Sequence, residues 1–174
     1  MKAQNKVISS FGSAFIKQDE QLYQDIIECG KIIAEKGYTL YSGGYSGSME
    51  AISKGAKSAG GKTIGVTLKK VNTRPNAFID EEFIAQNLME RIAHLINSAN
   101  AFIIFRGGTG TLLEISSALE MMNKKVMDEK LMIFYNDYWK NVIETLENDQ
   151  IELKMLIERN VRFIDKPNDL SYIL

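Results

Sequence analysis

The sequence predicts an α/β fold: a Rossmann-like, doubly wound, mostly parallel sheet with helices on both faces. Three observations carry that expectation. Short β-prone runs alternate with stretches of helical period along most of the 174 residues. Glycine pairs punctuate the ends of those runs, at Gly43-Gly44, Gly60-Gly61 and Gly107-Gly108. No repeat, low-complexity tract or linker interrupts the series, so a single domain over residues 1–174 is expected.

The elements follow in order. Lys6 to Ser9 opens the series as a strand. In "QLYQDIIECGKIIAEKG", Leu22, Ile26 and Ile33 recur at helical spacing and Gly37 supplies the stop. "YTLYS" is the second strand and ends in Gly43-Gly44. Ser48 to Ala59 reads as the second helix, closed by Gly60-Gly61, and "TIGVT" as the third strand. Leu68 to Ala77 is polar, holds one of only two prolines, and predicts a loop; a short extended piece follows near Phe83 to Ala85. A helix over Leu88 to Ser98 offers Leu88, Ile92, Leu95 and Ile96 as its apolar face, which leaves Arg91, His94 and Ser98 on another side. The strand Ala101 to Phe105 leads into a helix that runs to about Asn123. The strand Leu131 to Phe134, a helix around Tyr138 to Glu147 and a small strand near Val161 to Phe163 complete the sheet.

Composition excludes several functions. Twenty-one basic residues against 22 acidic ones give a net charge of -1, so no basic field invites nucleic acid or an anionic membrane. No apolar run reaches the length of a membrane span, and the start "MKAQNKVISSFG" lacks the apolar stretch of a leader. Cys29 is the only cysteine, so neither an internal disulfide nor a thiolate metal site is expected. A cytoplasmic location is the expectation.

Open sheets of this kind bind ligands beyond the carboxyl ends of their strands. That position collects Gly12-Ser13, Ser42-Gly43-Gly44, the Leu68 to Ala77 loop and the turn Arg106-Gly107-Gly108-Thr109-Gly110-Thr111. Glycines bring backbone N–H groups close to an oxygen, and a following helix adds partial positive charge, so the last turn reads as an anion cradle. The Thr109 and Thr111 hydroxyls would complete the shell. A plain strand-to-helix connection needs fewer glycines. No GxxxxGK[ST] occurs, and "GTGTLLE" lacks the third glycine of GxGxxG, so neither a P-loop nor a standard dinucleotide site is expected.

Glu114 carries two readings that are not exclusive. Thr111-Leu112-Leu113-Glu114 matches a capping box, in which the glutamate bonds back to the backbone. The same geometry aims the carboxylate at anything seated over the turn. From the residues alone Arg91 defaults to a solvated helix face, and His94 and Cys29 to packing.

Taken together these segments resemble the LOG (Lonely Guy) family, whose bacterial members were often labelled possible lysine decarboxylases. Its hallmark PGGxGTxxE reads "RGGTGTLLE" here, and its MxxRK motif reads "LMERI". Its "GSS"-like turn corresponds to "FGSA", and its "GGGxxGLMG" segment to "SGGYSGSMEA". "GAKSAGGKTIGVT" and "ANAFIIF" resemble its third strand with the preceding helix and its "DAFI" strand. The likeness covers roughly Val7 to Glu147. It implies a phosphoribohydrolase that cleaves the N-glycosidic bond of a nucleoside 5′-monophosphate, AMP or a modified purine nucleotide, to free base and ribose 5-phosphate.

Carried over by motif, Arg91 and Glu114 would be the catalytic pair. Gly107, Gly108, Gly110 and Thr111 would hold the phosphate, and Gly12 and Ser13 would approach the same ligand. Thr109, Gly43, Gly44 and Arg106, which stand beside them, are further candidate contacts to phosphate or ribose. The resemblance further implies a homodimer and needs no metal and no cofactor. The alternative is a non-catalytic nucleotide or cofactor carrier, or sensor, of the same fold. This chain departs from the pattern at Arg106, where the family has proline, at Leu88 and Ile92 in the MxxRK motif, and at Glu50. It also lacks the longer "WAQLG"-type continuation after Glu120.

Overall fold

The computed structural model describes residues 6–71, 73–148 and 150–174. The expectations that fall on residues 1–5 and on Asn72, inside the expected loop, lie outside the described residues. The strands are β1 (Val7–Phe11), β2 (Thr39–Ser42), β3 (Thr63–Leu68), β4 (Glu81–Ala85), β5 (Ala101–Ile104), β6 (Leu131–Tyr135) and β7 (Val161–Ile164). They form one sheet in the order β4-β3-β2-β1-β5-β6-β7, and all six pairings are parallel. The helices are α1 (Gln21–Glu35), α2 (Ser48–Ser58), α3 (Leu88–Ser98), α4 (Thr109–Asn123), α5 (Lys140–Glu147), α6 (Ile151–Asn160) and α7 (Leu170–Ile173).

A parallel sheet is covered on both faces, so its central strands are buried at every position. All four residues of β5 are buried. Phe102 and Ile104 point into one layer, packed with Leu95 and Ile96 of α3, Ala118 and Leu119 of α4, and Leu156 of α6. Ile103 points the other way, with Ile26 and Ile33 of α1, Ile52 of α2 and Leu170 of α7. The doubly wound architecture expected from the alternating pattern is therefore present, with the sheet wholly parallel among the described residues.

Two elements have no counterpart in the sequence reading. In α6 only Leu156 and Ile157 are buried while Ile151 and Met155 face solvent, so the stretch carries little amphipathic period. The four-residue α7 is too short to show one. The helix expected around Tyr138 begins as a 3-10 turn, Asp137–Trp139, before α5 takes over.

Winding direction reverses between β1 and β5. From β1 the chain passes to β2 on one side, and from β5 to β6 on the other, so a crevice opens where their carboxyl ends diverge. The pair is in register up to Phe11 opposite Ile104. On one side of that crevice α2 is drawn close to α1 by two glycines. A Cβ on Gly30 would overlap the Ile52 carbonyl oxygen, and one on Gly55 the Ile27 carbonyl oxygen.

Alanine at Gly55 gains about 1 kcal/mol of helix propensity but must push two backbones apart, and overpacking costs about 1–3 kcal/mol or more. Gly55→Ala is therefore expected to destabilise despite the better helix former. A lowered urea midpoint with an unchanged slope is the expected result; a raised midpoint would show that the helices separate freely.

Candidate active site

The crevice is built first from backbone. Beyond the last strand pair, Phe105 N–H donates to Phe11 O at 2.9 Å and Ser13 N–H to Arg106 O at 3.0 Å, carrying the β1–β5 ladder into the two turns. Ser48 N–H, at the start of α2, donates to Ser13 O at 2.9 Å. From the other side the β5 turn is held by Trp139, whose Nε1 donates to Phe105 O at 2.9 Å, and by the Tyr138 hydroxyl, which donates to Gly107 O at 3.1 Å.

Helix α4 begins at Thr109 with Gly108 as its N-cap and no side-chain cap. Its first internal bond is Leu112 N–H to Gly108 O at 3.0 Å, which leaves the N–H groups of Thr109, Gly110 and Thr111 outside the helical ladder. Gly108, Thr109 and Gly110 are exposed along the cleft, and Thr111 is buried behind them. The end of the helix therefore offers donors and positive partial charge to the cleft.

Two charged side chains stand inside. Arg91 comes from α3, where its Nε donates to Val66 O of β3 at 2.7 Å. Its guanidinium fills the space that Gly43 leaves, since any Cβ there would overlap Nη2, and it lies 5.7 Å from the centre of the Tyr45 ring. Tyr45 is fixed in turn by Leu68 N–H, which donates to its hydroxyl at 2.9 Å. Glu114 comes from the second turn of α4, and its Oε1 lies 3.7 Å from Arg91 Nη1. Both side chains are almost fully buried, at 13% and 11% exposure.

Burial pushes the Glu114 carboxyl up from its ordinary 4.5 to about 7, against the opposing pull of Arg91. At neutral pH this group both holds and releases a proton.

The remaining wall is mixed. Ser10, Gly12, Ser13 and Gly43 supply small and polar surface, while Phe11, Phe15, Met49, Leu68 and Val71 supply apolar surface, around a cavity of about 370 Å³. The Ser10 hydroxyl is buried against this cavity with no hydrogen-bond partner among the described residues.

Most of the residues singled out in the sequence meet here: Gly12, Ser13, Gly43, Arg91, Gly108, Thr109, Gly110, Thr111 and Glu114 all line the cleft. Three do not. Arg106 turns away and pairs with Glu20, whose other oxygen accepts Lys17 N–H at 2.9 Å. It clamps the loop between β1 and α1 instead of facing an anion. Gly107 lies behind the cradle, where its missing side chain makes room for Thr111. Gly44, at φ +78°, shapes a turn whose carbonyl accepts Asn76 N–H at 2.8 Å, holding the loop after β3.

The capping expectation is also corrected. α4 starts two residues before Thr111, so Glu114 lies beyond the first turn, out of reach of a capping box, and its carboxylate turns into the cleft. The buried stripe of α3 is rotated too. Leu88 is 47% exposed, and Arg91, one turn before Leu95, takes the inward position.

Leu68 and Val71 belong to the loop expected at the strand ends, whereas Ser10, Phe15, Tyr45 and Met49 have no such sign in the sequence reading. Ser10 and Phe15 flank the Gly12-Ser13 turn in the sequence, and that adjacency was the available signal. His94 stacks on Phe83 at 3.8 Å, away from the cleft, and burial lowers its pKa.

Sheet and cleft define the class: a Rossmann-like α/β protein whose candidate site lies at the topological switch point, with a helix N-terminus on one wall and a buried Arg–Glu pair on another. The SLOG cluster4 family matches over residues 5–163, and the chain belongs to that family. An uncharacterised protein of Archaeoglobus fulgidus is 38% identical over 102 residues, 59% of this chain and 67% of that protein. A cytokinin riboside 5′-monophosphate phosphoribohydrolase of Mycobacterium marinum is 39% identical over 89 residues, 49% of this chain and 48% of the enzyme. The similarity thus spans about half the length of that curated enzyme. Among solved structures, the molybdenum cofactor binding protein of Rippkaea orientalis superposes with a TM-score of 0.72 at 23% identity, covering 98% of this chain and 95% of that one. That likeness shows the fold alone.

The Glu114 shift has a thermodynamic consequence. Its carboxyl binds a proton more tightly folded than unfolded, so the stability it contributes is complete below about pH 4.5 and is lost as pH rises through about 7. Glu114→Gln removes this dependence. The stability of the wild type minus that of the variant is expected to fall by roughly 3 kcal/mol between pH 4.5 and 8. Urea unfolding across that range measures it, and a flat difference would show that the carboxylate is solvated.

Proposed function

We propose that the protein is a phosphoribohydrolase of nucleoside 5′-monophosphates, AMP or a modified purine nucleotide, releasing free base and ribose 5-phosphate. The observation that carries this reading is the buried Glu114 carboxyl, poised near neutrality beside Arg91 and above the open N-terminus of α4. The named activity of the curated relative supports it.

The phosphate takes the free N–H groups of Thr109, Gly110 and Thr111 and the positive end of the helix. Arg91, anchored through Nε to Val66, presents its remaining N–H groups to phosphate or ribose and fixes the sugar's position. The Ser10 hydroxyl, otherwise unpartnered, donates to the same ligand.

Loss of the base builds positive charge on the ribose, which an ionised carboxylate in a dry site stabilises. Glu114 supplies that charge and orients the attacking water. The C1′–N bond breaks, the water oxygen bonds to C1′, and a proton of that water ends on the departing base nitrogen. Neither a metal nor a cofactor enters. A homodimer, as the family resemblance implies, and a cytoplasmic location, as the composition suggests, are part of this proposal. A carrier or sensor would use the same cradle without breaking the glycosidic bond.

Incubation with a panel of nucleoside monophosphates, with free base and ribose 5-phosphate as the readout, tests the reading. Turnover is expected, and Glu114→Gln is expected to lower kcat by about a hundredfold or more. Tight binding without release would establish the carrier instead. A further expectation concerns pH: kcat/KM rises through about pH 7 as Glu114 ionises, and the variant loses that limb.

A further inference from the structure

The apolar residues of the cleft divide by depth. Phe11 and Met49 are 1% and 8% exposed and form the floor, whereas Val71 and Phe15 are 40% and 89% exposed and stand at the mouth. Single exposed apolar side chains are ordinary on protein surfaces. What distinguishes Phe15 is that the loop bearing it is fixed on every side.

Phe15 N–H donates to Ser13 Oγ at 3.0 Å, and the carbonyl of the preceding Ala14 accepts the Ser46 hydroxyl at 3.1 Å. The next residue, Ile16, is buried among the side chains of α1. Four residues on, Glu20 is paired with Arg106 and bonded to Lys17 N–H. The ring therefore projects from a backbone that hydrogen bonds, packing and an ion pair all hold, yet it stays in solvent. An apolar ring on a backbone already held costs less ordering when a partner covers it than one on a mobile loop.

We propose that Phe15 is the platform on which the base of the substrate stacks, with the phosphate seated on the N-terminus of α4. This rests on the phosphoribohydrolase reading and adds the residue that selects for an aromatic base. Stacking engages the ring face of the base and not its hydrogen-bonding edge. Phe15 therefore selects aromatic over non-aromatic groups and discriminates weakly among purines. Arg106, through Glu20, is a positioning residue for the platform.

The test is calorimetric titration of AMP and of ribose 5-phosphate into the 174-residue chain carrying Glu114→Gln, with and without Phe15→Ala. Phe15→Ala is expected to weaken AMP roughly five- to hundredfold while leaving ribose 5-phosphate unchanged, and Phe15→Trp is expected to restore AMP. Equal affinity for AMP with and without the ring overturns the platform while sparing the hydrolase reading. Equal weakening of both ligands also overturns it, because the ring would then only support the loop. Loss of self-association in Phe15→Ala, with AMP binding intact, shows that a second copy of the chain covers the ring. Failure of both ligands to bind the Glu114→Gln chain and the wild type alike sinks the platform and the hydrolase reading together.

Discussion

The parallel pairing of β1 with β5 is the constraint on which the cleft depends. Because the two strands are neighbours and in register to their last residues, the turns that leave them start side by side and must part in opposite directions. The ladder continues through Phe105 and Ser13 for one further bond each, so both turns are fixed before they diverge. Two walls of the site hang from that fork: Gly12 and Ser13 from one prong, the start of α4 from the other. The Phe102 and Ile104 layer on one face and the Ile103 layer on the other keep the fork in place.

Within the cleft, two opposed effects meet at Glu114. Removal from water disfavours its charged form, and the Arg91 guanidinium favours it. At 3.7 Å the pair is in Coulomb contact without a direct hydrogen bond, and burial wins. Arg91 is committed elsewhere through its Nε bond to Val66 O, so it cannot swing closer without giving up that anchor. A buried carboxyl without a direct partner is costly to the fold, and such groups cluster at functional sites.

The sequence made the fold legible wherever burial imposed a period. The β5 run and the amphipathic α3 were readable because the sheet and the layer above it demand apolar residues at those spacings. α6 was not, since only Leu156 and Ile157 are fully buried and Leu153 is only partly so. At the site, the glycines and Glu114 were legible as a pattern, but direction was not. Whether Arg91 faces solvent or the cleft turns on a rotation of α3 that only its packing against β3 decides. Whether Arg106 faces an anion or Glu20 depends on a residue 86 positions away in the chain.

That last contact sets this chain apart from the family pattern it otherwise resembles. A proline at position 106 would stiffen the turn through a covalent ring, which no solvent condition alters. Here the job is shared with a pair of opposite charges, each more than a third open to water or close to it. Such a contact pair, partly open to water, weakens chiefly at high salt, where the screening length shrinks from about 8 Å at physiological ionic strength to about 3 Å at 1 M. The loop at the mouth of the cleft is thus held in part by a bond that concentrated salt weakens, whereas the constraint of a proline ring would be indifferent to the ionic medium.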